Sequence, residues 1–547
     1  MGTYLDPGNS GFVRMTSMGY VDKTGLISQL NQTIGTGKNL TCISMPRRFG
    51  KSYAAQMLCA YYDVSCDSRE LFADYEIAHD SSFDQHINKY HVISLDVTSF
   101  VSEAEVEGTP LCEVPARISL AVRREAAELC PACGEKDTAT EALIALVNAT
   151  GAKVIFIIDE WDALIREATH DSETQGRYLN LLRSWFKNNS FTPKVVAAAY
   201  MTGILPIKKN GSQSAISDFR EYSVLDPGNF AEYVGFTERE VRTLCEERDR
   251  SFARMRRWYD GYTVGNVRSM YNPYSVMHAL DSGRYKSYWK KTSAADALMT
   301  YIDMDQDGLQ ADIARLMAGE QVEIDTDSFQ NDVETFTCKD DVLTLMVHLG
   351  YLTYEEVPDF YDDEDEVMTG LCSIPNEEVR TEFDNILRRA RHPELVALVR
   401  RSDALLEDTL AGREADVAKT IQDVHDSEYA PSFYNNEQSL RYVVKMAYLS
   451  CVDQYAKIEE LPSGHGLADV VFLPKRRSSL PVMVVELKWD NSADGAIRQI
   501  HDRNYPRALQ GFGGDIVLVG VSYDAKTKEH SCKIERHPMY TLFEGTV

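Results

Sequence analysis

The chain has 547 residues, and its 57 Lys and Arg side chains against 84 Asp and Glu give a formal charge of −27. This length predicts roughly three or four folding units, and a hydrophobic share of 44% with 26% charged residues excludes a disordered or collagen-like chain. The apolar runs are too short to span a membrane, and the net acidity excludes a general polybasic coat for nucleic acid.

We expect no export signal in the first twenty residues, because Asp6 and Asn9 stand where a signal peptide would have its apolar centre. The chain has eleven cysteines without regular spacing, which suits reduced thiols better than a disulfide framework. These features predict a cytoplasmic protein with no membrane attachment.

A glycine, a lysine and a serine follow the apolar run at residues 40–45 and precede a helical stretch. Gly50 would let the backbone wrap around a phosphate, Lys51 would reach the phosphate oxygens, and Ser52 would ligate Mg²⁺. The positive end of the helix dipole lies at the same point. Ordinary capping of a helix is the alternative interpretation of these three residues.

Three other residues of this loop bear on the assignment. Met45 stands where the Walker A pattern has its first glycine, so the pattern is incomplete. Arg47 and Arg48 could contact phosphate, or they could form ion pairs that lock the loop, and the sequence leaves both roles open.

Two later apolar runs end in polar residues. Residues 154–158 lead to Asp159 and Glu160, where Asp159 would hold Mg²⁺ and Glu160 would polarise the attacking water. A capped, buried strand is the alternative, but two carboxylates there cost desolvation unless a cation or solvent meets them. Residues 195–201 deliver Thr202 to the same sheet edge, as a phosphate or water contact or only as a turn hydroxyl. Together these elements predict an ATPase core.

From about residue 230 to residue 430 the pattern is mostly helical. Residues 355–366 interrupt it with eight carboxylates and no basic residue, which is typical of a solvated loop. Four aromatic residues are predicted to pack a lid core rather than to stack on a base: Trp258, Tyr259, Tyr262 and Tyr271.

A β-hairpin is predicted near the C-terminus, with its turn at residues 475–480. Asp469 and Glu486 are equally far from the centre of this turn, so a symmetric hairpin places them opposite each other, with Lys488 on the same face. Two facing carboxylates suit Mg²⁺ or Mn²⁺, and the adjacent ammonium could orient a water for phosphodiester hydrolysis. A surface hairpin with cross-strand ion pairs is the alternative.

Longer segments resemble the bacterial AAA-ATPase-like proteins that carry a C-terminal PD-(D/E)XK nuclease-like domain: residues 4–12, 20–27, 46–52, 203–209, 258–262, 271–275 and 374–380. The resemblance runs over nearly the whole chain, although the family usually has Arg at the position of Met45. It implies nucleotide-handling roles for four matching positions, which are Lys51, Ser52, Asp159 and Glu160.

The resemblance also implies additional residues around the hairpin. Glu437, on the preceding helix, would be an outer metal or water ligand. Gln499 and Tyr505, on the following helix, would line the site, with Gln499 behind the metal ligands or on a phosphate. His465 and His501 are interpreted as bystanders, because no pattern places two nitrogens around one metal.

Together, the patterns and the resemblance predict an α/β chain. The predicted architecture is a P-loop NTPase (AAA-like) parallel sheet with a helical lid and a helical middle section, followed by a small α/β PD-(D/E)XK nuclease-like domain. The predicted boundaries enclose an ATPase core, a lid, a middle domain and the nuclease-like domain: residues 1–229, 230–300, 301–430 and 431–547.

The predicted function is ATP binding and hydrolysis coupled to a metal-dependent nuclease-like domain. The alternative is a nucleotide-switched binding or signalling ATPase whose nuclease-like domain does not cleave. The cofactors are ATP and Mg²⁺, with Mn²⁺ also suited to the nuclease site. Residues 431–547 have 14 basic and 14 acidic residues, so electrostatic repulsion opposes contact with nucleic acid least in this part of the acidic chain. Nucleic acid is the predicted partner, with DNA expected ahead of RNA. A homo-oligomer is left open.

Overall fold

The computed structural model describes most of the chain: residues 2–17, 19–131, 136–168, 171–207, 216–289, 309–317, 319–327, 329, 336, 338–356, 369–387, 393–426, 437–448, 451, 455–463, 466–474, 480–502 and 515–538. These fall into two compact units. The first comprises Met1–Ala294 with Glu323–Val379, and the second comprises Ala295–Val322 with Arg380–Val547. The division into four domains stays a prediction. No helix of the described residues is both long enough and apolar enough to cross a membrane.

The first unit is built on a five-stranded sheet in the order β2-β3-β4-β1-β5, and all its strand pairs are parallel. The strands are β1 (Leu40–Ser44), β2 (His91–Asp96), β3 (Val154–Asp159), β4 (Val196–Gly203) and β5 (Arg220–Ser223). Nearly every residue of β1, β3 and β4 is buried, as expected of strands that helices cover on both faces. The predicted α/β class with a parallel sheet is confirmed.

Eleven helices accompany this sheet in the described part of the first 200 residues: α1 (Ser10–Thr16), α2 (Gly25–Asn31), α3 (Lys51–Tyr62), α4 (Arg69–Phe72), α5 (Phe83–His86), α6 (Val97–Glu107), α7 (Val114–Leu129), α8 (Ala139–Thr150), α9 (Ala163–Glu167), α10 (Ser172–Phe186) and α11 (Thr192–Val195). Short 3-10 turns occur at Glu76–His79, Leu111–Glu113 and Gly228–Tyr233. The main core joins residues of β1–β4 to α6–α10, with Trp161 and Trp185 fully buried in it. This packing fixes the C-terminal ends of the strands, where the candidate site residues lie.

A smaller sheet follows the parallel sheet. It has the order β6-β8-β7 and comprises β6 (Phe236–Thr237), β7 (Tyr262–Val264) and β8 (Val267–Tyr271), with α12 (Glu238–Glu247), α13 (Phe252–Tyr259) and α14 (Pro273–Ser282). Three of the four lid aromatics, Tyr259, Tyr262 and Tyr271, are buried. Trp258 packs against a core cluster that contains Tyr259 and Tyr271. They serve as core residues, as the sequence indicates.

Gly235 joins this smaller sheet to the loop before α3, because its N–H donates to the carbonyl of Phe49 at 2.9 Å. Its φ is +74°, and a Cβ there would lie 3.0 Å from the Phe49 ring and 3.2 Å from the carbonyl oxygen of Tyr271. We expect Gly235→Ala to lower the free energy of unfolding by about 1–3 kcal/mol, measured by urea titration. Gly37→Ala is the control, since a Cβ there meets nothing within 4 Å. Equal losses in both variants would contradict this account of Gly235.

A third sheet, in the order β10-β11-β9, lies in the middle of the sequence and comprises β9 (Val322–Asp325), β10 (Thr353–Glu356) and β11 (Thr369–Ser373), with α15 (Leu309–Met317) and α16 (Lys339–Leu349) as the neighbouring helices in sequence. The sequence analysis predicted mostly helical lid and middle sections, but both also contain a short three-stranded sheet. Their strands have two to five residues, which is too short for a period-two pattern to be recognised. Most of the acidic segment, residues 357–366, lies outside the described residues.

The second unit carries a five-stranded sheet in the order β12-β13-β14-β15-β16. Its strands are β12 (Tyr455–Ser463), β13 (Gly466–Pro474), β14 (Val482–Trp489), β15 (Asp515–Asp524) and β16 (Glu529–Pro538). The remaining helices of the described residues are α17 (Glu377–Leu387), α18 (Pro393–Leu410), α19 (Glu414–His425), α20 (Glu437–Ala447) and α21 (Ala493–Asp502). Only β14 and β15 are parallel, and α21 connects them. The predicted hairpin is present as β13 and β14.

The described cysteines include nine free thiols. Cys130 is disulfide-bonded, so the expectation of reduced thiols is wrong at this position.

Candidate functional site

The loop between β1 and α3 is closed by the side chain of Lys51. Its ammonium donates hydrogen bonds to the carbonyl oxygens of Met45 at 2.9 Å and Pro46 at 3.0 Å, and the residue is only 4% exposed. The loop can turn tightly because Gly50 and Arg48 have left-handed φ angles of +89° and +68°. A preformed loop with a buried ammonium, followed by a helix N-terminus, is suited to binding phosphate.

The two arginines of this loop have different surroundings. Arg48 donates to the carbonyl of Tyr288 at 3.0 Å, and its guanidinium lies 4.5 Å from the ring centre of Tyr274. Burial lowers the pKa of Arg47, and the positive charge of Arg166 lowers it further. Arg48 thus anchors the loop to later residues of the first unit, whereas Arg47 lies within the field of the charged groups that follow β3.

Asp159, at the end of β3, is held by hydroxyl groups from two other elements. Thr202, at the end of β4, donates a short hydrogen bond to Asp159 and accepts one from the N–H of Glu160 at 3.3 Å. Burial raises the pKa of Asp159, and hydrogen bonds from Ser52 and Thr202 oppose that rise. Because β4 lies between β1 and β3, the structure brings Ser52, Asp159 and Thr202 together as predicted. Their hard oxygen donors fit Mg²⁺.

Glu160 lies between two cations. One of its carboxylate oxygens is 3.6 Å from the Lys51 ammonium, and the other accepts a hydrogen bond from Arg166 at 2.9 Å. The φ of Glu160 is +49°, an uncommon backbone conformation for a side chain of this size. The carboxylate is therefore oriented by ion pairs.

The sequence analysis did not identify the residues that orient Glu160. Arg166 also donates to Asp162 at 3.0 Å, and the same oxygen of Asp162 accepts the N–H groups of Ile204 and Leu205. Asp162 is fully buried. The only sequence signal was the spacing of Asp162 and Arg166, four residues apart at the start of a helix, which favours an ion pair.

The C-terminal sheet brings a second set of predicted residues together. Val470 pairs with Val485, so Asp469 and Glu486 are the residues next to this pair on the two strands, and the N–H of Leu487 donates to Asp469 at 2.9 Å. Glu486 is 1% exposed, and one of its oxygens lies 3.8 Å from the Lys488 ammonium and accepts a hydrogen bond from Gln499 on α21. We call Asp469, Glu486, Lys488 and Gln499 the carboxylate–lysine cluster.

An unpredicted cation completes this cluster. Arg441, on α20, donates to Asp469 at 2.7 Å. Glu437 lies one turn earlier on the same helix and is exposed, and no hydrogen bond or ion pair joins it to a described residue. Among the described residues, Glu437 thus has no hydrogen bond or ion pair to the cluster, where α20 contributes a basic group instead. Tyr505 and His465 lie outside the described residues.

The charges of both sites are thus partly balanced by the protein itself. Lys51 and Arg166 flank Glu160, whereas Arg441 and Lys488 flank the pair of Asp469 and Glu486. Crowded carboxylates at a strand end do not by themselves require a bound divalent ion, contrary to the electrostatic argument from sequence. The case for metal depends on the types and positions of the oxygen donors.

Comparison with known proteins finds a family match for the N-terminal part of the chain. Residues 9–212 match the AAA-ATPase-like family model, described as a predicted AAA-ATPase. Among solved structures, the chain is similar to the Aeropyrum pernix ORC2 protein in its ADPNP–ADP complexes, at 13% identity over 67% of this chain and 96% of that chain. The TM-score of 0.30 is too low to support an argument. No curated protein matches the chain. The matched residues 9–212 contain the loop before α3 and the polar ends of β3 and β4, so this part of the chain is similar to AAA-ATPase-like domains.

Proposed function

We propose that the chain binds and hydrolyses ATP and couples this reaction to a metal-dependent nuclease-like domain that acts on nucleic acid phosphodiesters. The observation that carries the proposal is the convergence of Lys51, Asp159, Glu160 and Thr202 at one edge of the parallel sheet, within the part that matches the AAA-ATPase-like model. The four predicted domains would correspond to the ATPase core, the lid, the middle section and the nuclease-like part of the chain.

Each residue of the ATPase site has a role that its position supports. Lys51 and the N–H groups at the start of α3 would bind the phosphates. Ser52 and Asp159 would hold Mg²⁺, which when bound supplies electrostatic stabilisation of the phosphate oxygens. Glu160 would orient the attacking water and accept its proton, and Arg166 would fix the direction of that carboxylate. Thr202 would hold Asp159 in place.

The carboxylate–lysine cluster supports the second half of the proposal. Asp469 and Glu486 would hold Mg²⁺ or Mn²⁺, which when bound polarises the phosphate and activates water. Lys488 would orient the water or stabilise developing negative charge, and Gln499 would hold Glu486 in position. Arg441 has to release Asp469 before that carboxylate can ligate a metal with both oxygens. Glu437 remains a proposed outer ligand on the same helix.

A nuclease assay tests this half. We expect the full chain to cleave nucleic acid with Mg²⁺ or Mn²⁺, and Lys488→Ala to lower the cleavage rate about 100-fold because an aligned positive charge is lost. Lys526→Ala, in the exposed turn between β15 and β16, is the control and should cleave at the wild-type rate. Single- and double-stranded DNA and RNA are compared, with DNA expected ahead of RNA. Absence of cleavage under every metal and nucleotide condition would refute the nuclease role.

The ion pair of Arg441 and Asp469 favours a second candidate function. A guanidinium that holds this carboxylate supports a nucleotide-switched binding or signalling protein whose nuclease-like domain does not cleave. In that case ATP would tighten the binding of nucleic acid or a protein partner, and Glu486→Ala would leave this effect unchanged. Cytoplasmic location, a nucleic acid partner and self-association remain predictions under either function.

A further inference from the structure

A separate group of metal-ligating side chains lies at the edge of the C-terminal sheet. His501 is in the last turn of α21, whereas Glu535 and His537 are two residues apart on β16 and so share one face of that strand. The ring nitrogens Nε2 of His501 and His537 lie 2.9 Å and 3.0 Å from the same carboxylate oxygen of Glu535. We call these three residues the His–Glu–His cluster.

The geometry of this cluster is close to that of a metal site. One candidate ligand atom from each residue lies within 4.8 Å of the other two. Zinc bound tetrahedrally by His nitrogen and Glu oxygen at 2.0–2.2 Å separates its ligand atoms by roughly 3.3 Å. The two nitrogen–oxygen distances therefore need to open by only a few tenths of an ångström for an ion to replace the hydrogen-bonded protons.

The neighbouring charges do not compete for this position. Lys533, on the same face of β16, pairs with Glu414 at 3.1 Å, and Arg536, on the opposite face, pairs with Asp515 at 2.9 Å. Within the described part of the chain, the Glu535 carboxylate accepts hydrogen bonds only from the two imidazoles. The three side chains are 32–39% exposed, so an ion can enter and keep a water ligand.

We propose that His501, Glu535 and His537 bind one transition-metal dication, with Zn²⁺ the best match to two imidazoles and a carboxylate. Imidazole nitrogens are better ligands for Zn²⁺, Co²⁺ and Ni²⁺ than for Mg²⁺ or Ca²⁺, which prefer oxygen. The cluster shares no residue with the carboxylate–lysine cluster, whose donors are oxygens. Bound metal would tie the C-terminal end of α21 to the edge strand β16.

Metal binding to the chelator-treated full chain tests the proposal. Zn²⁺ is titrated in competition with a chromophoric chelator, and Co²⁺ is added separately because its visible absorption reports nitrogen ligands in tetrahedral geometry. We expect one Zn²⁺ per chain with this signature, and at least about 100-fold weaker binding in His501→Ala and in His537→Ala.

Two controls separate this site from others on the chain. His79→Ala removes an exposed histidine of the first unit, and Glu529→Gln removes an exposed carboxylate at the start of β16. Both should keep the full Zn²⁺ affinity, and circular dichroism checks that all variants fold. Equal Zn²⁺ affinity in wild type, His501→Ala and His537→Ala would overturn the proposal, as would an absence of Zn²⁺ binding by the wild type.

Discussion

Replacement of Lys51 by alanine is expected to weaken nucleotide binding strongly. The Lys51 ammonium is buried, donates hydrogen bonds to two loop carbonyls and lies 3.6 Å from a carboxylate oxygen of Glu160. A bound phosphate would therefore meet a positioned charge. Loss of a buried, hydrogen-bonded charge costs about 2–5 kcal/mol, and each 1.4 kcal/mol is tenfold in affinity. We therefore expect the dissociation constant for ATP to rise roughly 30-fold to several thousand-fold, as measured by calorimetry.

The control for this prediction is Lys38→Ala, which removes an exposed lysine just before β1, at the opposite end of the same strand. It should bind ATP like the wild type. Because Lys51 also closes the loop, thermal unfolding of Lys51→Ala is measured as well. Unchanged affinity in a folded Lys51→Ala variant would contradict the phosphate role of this residue.

Replacement of Glu160 by glutamine is expected to separate binding from hydrolysis. The amide keeps the size of the side chain but cannot accept a proton from water, so turnover should fall by roughly 10²- to 10⁴-fold. ATP affinity should change much less, because the Lys51 ammonium and the backbone of the loop remain. Single-turnover phosphate release, measured beside equilibrium binding, gives both quantities.

A matched control exists for Glu160 because Glu173 pairs with Arg177 at 2.6 Å on the exposed surface of α10. Glu173→Gln removes a similar carboxylate–guanidinium pair and should hydrolyse ATP at the wild-type rate. Equal hydrolysis by Glu160→Gln and wild type would exclude the proposed role of Glu160.

The elements that bear the candidate ATPase site were predictable because their signals are local. Apolar runs of five to eight residues that end in polar groups indicate buried parallel strands, and the residues at their C-terminal ends must meet at one sheet edge. The strand order was not predictable, since no local pattern states that β4 lies between β1 and β3. That order is what allows Thr202 to reach Asp159.

The cations were harder to predict than the acids. Arg166 and Arg441 act through contacts whose partners are six and 28 residues away in sequence. The helical position of an arginine does not reveal which carboxylate it will meet, because its long side chain has many rotamers. The hairpin register was predictable from its symmetry, whereas the presence of Arg441 beside Asp469 required the packing of α20 against the sheet.

The histidines show the same difficulty. His537 and Glu535 are visibly two residues apart, but His501 is 34 residues from Glu535 along the chain. Only the return of β16 to the edge of the sheet beside α21 brings the two imidazoles to one carboxylate. The interpretation of His501 as a bystander depended on the absence of a second nitrogen, which the fold supplies.

The central claim is that the loop before α3 and the polar ends of β3 and β4 form a site for ATP with Mg²⁺. Calorimetric titration of the full chain with a non-hydrolysable ATP analogue, with Mg²⁺ and then with excess chelator, tests it most directly. The predicted result is saturable binding of one nucleotide per chain that weakens clearly when Mg²⁺ is removed. No detectable binding at millimolar nucleotide and millimolar Mg²⁺ would contradict the claim.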